Sequence, residues 1–168
     1  MMEIRKAQAQ DAAGIKRVCT AGYRSTYRDL LPHDEIERII EKFYNEPRIM
    51  GEIENTNQEW NGWFVAVENG EVIGAGGGGF TGATVAEIFV LYLDPDRKYQ
   101  GIGTKLLEAI TQDQKARGAR TQWVAVAKGN GMAIPFYEAR GFEFQYEEAA
   151  YGMPESDNYK SLRYERDV

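Results

Sequence analysis

One α/β (α+β) domain covering residues 1–168 is the fold the sequence predicts, and three observations carry the prediction. The 168 residues, 43% hydrophobic and 12% aromatic, supply apolar surface for one core but are too few for two of ordinary size. Period-two and helical patterns alternate along the chain, with no repeat, low-complexity tract or linker between them. A strand pattern, a glycine loop, the best helix pattern and another strand follow one another from Val85 to Ala127.

Residues 2–8 alternate weakly and read as a strand. Asp11 then stands where an N-cap belongs, and Ile15, Val18, Cys19 and Gly22 recur at helical spacing. Pro32 opens a second amphipathic helix with Ile36, Ile39, Ile40 and Phe43 on one face, ending before Asn45 and Pro47, and a short helix around Ile49, Met50 and Ile53 follows. From Trp63 the period changes to two. Asn69-Gly70, between Phe64–Val67 and Val72-Ile73, signals a two-residue hairpin turn, so these strands pair antiparallel. A third strand, Val85 to Leu93, stops at Asp94-Pro95, where proline offers no ladder donor. Residues 102–117 give the clearest helix, with Ile102, Leu106, Ala109 and Ile110 on one stripe, Lys115 and Arg117 in the last turn and Gly118 as the stop. Gln122 to Ala127 is a strand. Asn130 to Arg140 is a short helix closed by Gly141, in which Pro135 is tolerable if the helix begins near Ala133. Strands near Phe142–Glu148 and Tyr159–Arg166 complete the chain.

Composition excludes several classes of function. The longest apolar run, Ile88 to Leu93, is six residues, against the roughly 20 that span a bilayer, and no apolar leader opens the chain, so neither a membrane span nor a signal peptide is expected. With 26 Asp and Glu against 20 Lys and Arg the net charge is -6, which disfavours nucleic acid as a partner and suits an amine-bearing one. Cys19 and His33 are alone of their kinds, so an internal disulfide, a Cys/His zinc site and a Cys-x-x-Cys redox pair are excluded, and a reducing, cytoplasmic setting is expected. Cys19 reads as a core residue, and His33, between Pro32 and Asp34, as an exposed or capping one.

Two glycine motifs compete for a phosphate. Gly74-Ala75-Gly76-Gly77-Gly78-Gly79 fits G-x-G-x-x-G, but a dinucleotide fingerprint must open a helix, and Phe80 to Leu93 reads as loop and strand. The run is better explained as a strand or bulge that another backbone approaches closely. Arg97-Lys98-Tyr99-Gln100-Gly101-Ile102-Gly103-Thr104 has the right setting, between a strand and the best helix. Its glycines let successive N–H groups face one point, the helix N-terminus favours an anion, and Arg97 and Lys98 add charge. The P-loop pattern G-x-x-x-x-G-K-[ST] is absent, so a diphosphate carried as a handle fits better than a nucleotide being hydrolysed. An ordinary turn before a helix is the plain alternative.

Glu87-Ile88 before an apolar strand, then Gln100-Gly101-Ile102-Gly103-Thr104-Lys105-Leu106-Leu107, then Asn130 to Phe142 together resemble the GNAT family, the Gcn5-related acyl-CoA N-acyltransferases. The loop matches the family signature Q/R-x-x-G-x-G/A except that Lys98 stands where Gln or Arg is usual, which keeps charge but loses planar geometry. Asn130, Ala133, Phe136 and Tyr137, with Gly141-Phe142 after them, match the second signature. The resemblance implies a mixed, mostly antiparallel, twisted sheet of six or seven strands with about four helices, and acetyl-CoA as co-substrate without a metal. It implies that the strands ending at Leu93 and near Ala127 splay apart to admit the pantetheine arm. The backbone of Leu91, Tyr92 and Leu93 would then bond that arm, Lys98, Tyr99, Gln100, Gly101, Ile102, Gly103 and Thr104 would hold the diphosphate, Asn130 would contact the cofactor and Tyr137 would lie near its sulfur.

Acetyl transfer to an amine needs a neutral nitrogen, a stabilised oxyanion and a supported leaving thiolate. Glu87 lies 14 residues before Gly101, where the histone acetyltransferase branch of the family keeps a glutamate base, and is the expected base, directly or through water. A plain strand start is the alternative reading of Glu87, and a core aromatic that of Tyr137. A backbone N–H near Leu91 to Leu93 would serve the oxyanion, and the Tyr137 hydroxyl would donate to the sulfur. The expected acceptor is a small-molecule primary amine, with the polyamine branch one comparison. Protein or peptide N-acetylation and a non-catalytic acyl-CoA sensor are the alternatives, and a homodimer is compatible with the sequence. Tyr23, Tyr27, Trp60, Trp63, Phe80 and Tyr151 are candidates to line an acceptor pocket, although aromatic residues at such positions more often pack the core.

Overall fold

The computed structural model describes residues 1–98, 100–150 and 159–168, which build a seven-stranded sheet of order β1-β2-β3-β4-β5-β7-β6. β1 (Met2–Lys6), β2 (Trp63–Glu68), β3 (Glu71–Phe80) and β4 (Val85–Leu93) run antiparallel to their neighbours. β4 pairs parallel with β5 (Thr121–Ala127), β5 pairs antiparallel with β7 (Lys160–Asp167), and β6 (Glu143–Ala149) forms the edge beside β7. The β2–β3 hairpin turns where expected, with Asn69 and Gly70 both at positive φ (53° and 76°), as a type I′ turn requires.

Among the described residues there are five α-helices, against about four expected: α1 (Ala12–Tyr27), α2 (His33–Phe43), α3 (Glu46–Glu54), α4 (Ile102–Ala116) and α5 (Ala133–Glu138). The short α3 is a full helix because the Asn45 side chain accepts from the Arg48 N–H at its start. α4 covers one face of the sheet, where Ile102, Leu106, Leu107 and Ile110 pack on Phe64, Ala66, Ile88, Val124, Val126 and Tyr164. α1 and α3 cover the other, through Ile15, Val18, Cys19 and Ile49 against Trp63, Val65, Val72 and Ala75. Leu106 is fully buried, so truncation to Ala costs about 2–5 kcal/mol. None of these helices is long and apolar enough to cross a membrane.

Three boundaries differ from expectation. Asp11 does not cap α1 with its side chain: its carboxylate accepts from the Gln8 N–H at 2.7 Å and from Arg5 at 2.7 Å, closing the tight turn that precedes the helix. Pro32 is the residue before α2 rather than its first residue. The helix expected over 130–140 contracts to Ala133–Glu138, which leaves Pro135 in the first turn, where its missing N–H costs nothing. The Gly74–Gly79 run lies inside β3 and opens no helix, so no dinucleotide fingerprint exists. The loop before β2 passes directly over it: a Cβ on Gly79 would stand 1.8 Å from the Glu59 carbonyl oxygen.

Candidate active site

β4 and β5 pair only from Val85↔Thr121 to Ile88↔Val124. Beyond that point β4 continues along β3 to Leu93, and β5 continues along β7 to Ala127. A gap therefore opens between them. It opens at a bulge: Ile88 faces Gly78 and Val90 faces Gly77, so Phe89 has no opposite residue. The extra residue reverses the alternation, and Ile88, Leu91 and Leu93 all join the α4-side core while Val90 and Tyr92 turn to the α1 side. Leu91, Tyr92 and Leu93 are paired with Gly76, Ala75 and Gly74 on one edge only. Their other edge has no strand partner among the described residues, and its backbone polar groups are available to a ligand.

The N-terminus of α4 stands beside the end of β4. Gly101 adopts φ 79°, and the first helical bond runs from the Lys105 N–H to its carbonyl, so the N–H groups of Ile102, Gly103 and Thr104 have no helical acceptor. No side chain caps them among the described residues, and the helix dipole leaves them partly positive. Arg97 is not aimed at this point. It donates to Glu68 at 2.5 Å and to the Gln100 side chain at 3.0 Å, anchoring the loop to the end of β2. Lys98 Nζ lies 3.7 Å from Met132 Sδ, and Tyr99 falls outside the described residues. Thr104 Oγ1 accepts from Arg140 at 2.5 Å.

The Asn130 side chain accepts from the N–H groups of Met132 and Ala133 at 3.3 and 3.1 Å and so directs the chain into α5. Tyr137 is buried, edge-on to Phe136 and Phe142 at 5.1 and 5.3 Å between centroids. Burial pushes its phenol well above the ordinary value, and Tyr27 raises it further against the opposing pull of Arg140 and Arg166. Tyr27 ends α1 and packs with Tyr23 and Tyr92, on the opposite side of the sheet from the cluster that holds Tyr137. Tyr27 stacks on Tyr23 at 4.3 Å, and Tyr23 meets Tyr92 edge-on at 6.1 Å.

Glu87 lies just before the bulge, and both its oxygens are engaged. Arg163 of β7 donates to them at 2.7 and 2.8 Å, with the two side chains 14% and 12% exposed for Arg163 and Glu87. The Arg163 guanidinium also sits 5.5 Å over the Trp123 ring. The sequence offers Tyr27 as a pocket or core aromatic but does not single out Arg163. The register that would have revealed Arg163, with Glu87 opposite Trp123 and Ala125 opposite Arg163, spans three strands distant in the chain. A separate recess of about 640 Å³ between α1 and the β2–β3 turn is lined by Arg5, Asp11, Arg17 and Glu71, whose charges are mutually paired. No group of His, Cys, Asp and Glu able to hold a metal ion occurs among the described residues.

Comparison with known proteins bears on this arrangement. The sequence profile of the acetyltransferase (GNAT) family matches residues 25–142. The chain belongs to the acetyltransferase (GNAT) family. As a GNAT chain it is similar to the [ribosomal protein bS18]-alanine N-acetyltransferase of Escherichia coli (strain K12), 40% identical over 57 residues, which are 34% of this chain and 38% of that protein. The chain thus matches well under half the length of that curated relative. Its fold is shared with the PaiA N-acetyltransferase of Thermoplasma acidophilum, solved in complex with coenzyme A, at a TM-score of 0.85 and 23% identity over 100% of this chain and 99% of that one. The ribosomal-protein-S18-alanine N-acetyltransferase of Escherichia coli shares it at a TM-score of 0.72 and 20% identity, over 100% and 94%. Other GNAT structures match over nearly the whole chain as well.

Proposed function

We propose that this GNAT protein moves an acetyl group from acetyl-CoA to the primary amine of a small molecule, by direct attack in a ternary complex. What supports the reading is the unpaired edge of Leu91–Leu93 beside the uncapped N-terminus of α4, with Tyr137 buried in the same apolar cluster as Leu91, Leu93 and Val126. An amide-bearing arm suits the first, a diphosphate the second, and a sulfur the third. Asn130, whose N–H donates to the carbonyl of Ala127 at the end of β5, is the further residue given a cofactor contact in this reading. The co-substrate, when bound, supplies a thioester carbonyl.

The acceptor nitrogen forms a bond to that carbonyl carbon, the carbon–sulfur bond breaks with its electron pair leaving on sulfur as a thiolate, and the proton shed by the nitrogen passes by way of Glu87 and solvent to that sulfur. A backbone N–H near Leu91 to Leu93 stabilises the oxyanion in this reading. Because the Tyr137 phenol is raised far above a thiol near 8.5, Tyr137 keeps its proton and supports the sulfur by donating a hydrogen bond. Glu87 takes the amine proton through a water, since each carboxylate oxygen has a lone pair beyond the one given to Arg163. A chain whose one cysteine is buried suits a reducing cytoplasm.

A second reading, acetylation of a peptide N-terminus, is favoured by the relatives named as ribosomal-protein alanine N-acetyltransferases. The test is a thiol-release screen with acetyl-CoA against polyamines, amino acids, aminoglycosides and N-terminal peptides. Turnover on a small amine supports the first reading, turnover on peptides alone transfers it to the second, and acetyl-CoA binding without acceptor-dependent release overturns both.

A further inference from the structure

Gln114, Gln122 and Thr111 are buried between α4 and the sheet, at 1%, 0% and 7% exposure. Polar groups so placed are costly unless bonded. Gln122 Nε2 donates to Gln114 Oε1 at 2.9 Å and to Thr111 Oγ1 at 3.0 Å. Arg166 donates to Gln122 Oε1 at 2.9 Å, to Thr111 Oγ1 at 3.1 Å and to the Arg140 carbonyl at 2.8 Å. The Arg140 side chain donates in turn to the Phe136 carbonyl at 2.8 Å and to Thr104 Oγ1 at 2.5 Å. One connected network therefore touches the first turn of α4 and the helix that carries Tyr137.

Its other end reaches β4. Gln114 Nε2 donates to the backbone carbonyl of Glu87 at 3.1 Å. That carbonyl leans toward the space above Gly78: a Cβ there would lie 2.0 Å from the Glu87 oxygen and 2.8 Å from Gln114 Nε2. Gly78 clears the room and Gln114 supplies the donor. The next two residues are Ile88, where pairing with β5 ends, and Phe89, the bulge.

We infer that Gln114 is a positioning residue: by holding the Glu87 carbonyl it fixes the bulge at Phe89 and so aims the backbone N–H groups of β4 into the gap. Gln122 and Arg166 fix the Gln114 amide and tie the bulge to α5 and the start of α4. The catalytic consequence rests on the proposed acetyl transfer, whereas the structural consequence does not.

The test compares wild type with Gln114→Met, which keeps volume and removes the donor, and with Gln122→Met, which breaks the network at its centre. In Gln114→Met, kcat is expected to fall about 10- to 100-fold, as small misplacements of reacting groups do, with KM for acetyl-CoA within about twofold. Backbone amide exchange at Phe89, Val90 and Leu91 should accelerate while Leu106 and Val65 keep their protection. Unchanged kcat together with unchanged exchange at 89–91 overturns the inference, and so does a general loss of protection with kcat preserved, which a merely structural role would give. Should the wild type show no turnover, the proposed function fails and the exchange data alone decide the role of Gln114. If Gln122→Met does not fold, Gln114→Met carries the decision.

Discussion

Arg163 and Glu87 form a bidentate ion pair, Nη1 to Oε2 at 2.7 Å and Nη2 to Oε1 at 2.8 Å, across 76 residues of sequence. Both side chains are largely buried, so removing one partner strands the other. Arg163→Met should cost about 3–5 kcal/mol, and the double variant with Glu87→Gln should cost less than the sum of the two single changes. Urea unfolding of the four proteins in a double-mutant cycle measures this, and additivity would mean that the pair is not coupled.

Tyr137→Phe removes one hydroxyl from a buried ring that packs edge-on between Phe136 and Phe142. The ring stays, so folding and acetyl-CoA binding should persist while kcat falls about 10- to 100-fold. Because burial and Tyr27 hold this phenol above its ordinary value, it stays neutral through pH 7 to 9, and the rate profiles of wild type and variant should have the same shape there. An alkaline limb present in wild type and absent in Tyr137→Phe would assign a titration to Tyr137 and contradict the role given to it.

Asp11 is a carboxylate whose ionised form the fold favours. Burial opposes its charge, but the hydrogen bonds from Arg5 and from the Gln8 N–H outweigh burial and hold its carboxyl below the usual range. A folded pKa below the unfolded value of about 3.9 gives stability that is complete above that value and is lost as pH falls through the folded one. Asp11→Asn should therefore cost about 1–3 kcal/mol at neutral pH, and its deficit relative to wild type should shrink between about pH 5 and pH 2. An equal deficit at both ends of that range would refute the assignment.

Glycine substitutions should split by what lies above them. Gly79→Ala places a Cβ 1.8 Å from the Glu59 carbonyl oxygen, a backbone atom that cannot swing away, and should prevent native folding. Gly51→Ala meets nothing within 4 Å inside α3 and should stabilise by about 0.5–1 kcal/mol. Thermal unfolding of both proteins reads the difference.

The parts of this architecture that local chemistry dictates were legible in the sequence. Asn69-Gly70 sets the hairpin, Asp94-Pro95 ends β4 at Leu93, and Gly101 and Gly118 flank α4. What depended on register was not. The uninterrupted apolar run from Ile88 to Leu93 conceals the bulge, because every residue in it fits either face, and the clearance over Gly77 and Gly78 appears only once β3 and β4 are aligned. Glu87 stands out in the sequence as a candidate base, but its tie to Arg163 crosses from β4 to β7 over β5. Gln114 and Gln122 read as surface residues by type, and their burial follows from satisfying one another.

Cys19 is fully buried in the α1 core, and burial pushes its thiol upward. It should not react with a thiol reagent in the native protein and should react once after denaturation, which a colorimetric titration records. Rapid native reaction would contradict the packing of α1 on β2 and β3.

Acetyl transfer at the β4–β5 gap is open to a balanced-product assay. Purified protein, acetyl-CoA and the best acceptor are quenched over time, with free thiol and acetylated amine counted by mass spectrometry. Direct transfer gives the two products in equal amounts, dependence on both substrates, and parallel loss in Tyr137→Phe. Thiol released without acceptor, or no acetylated amine from any acceptor despite bound acetyl-CoA, would contradict it.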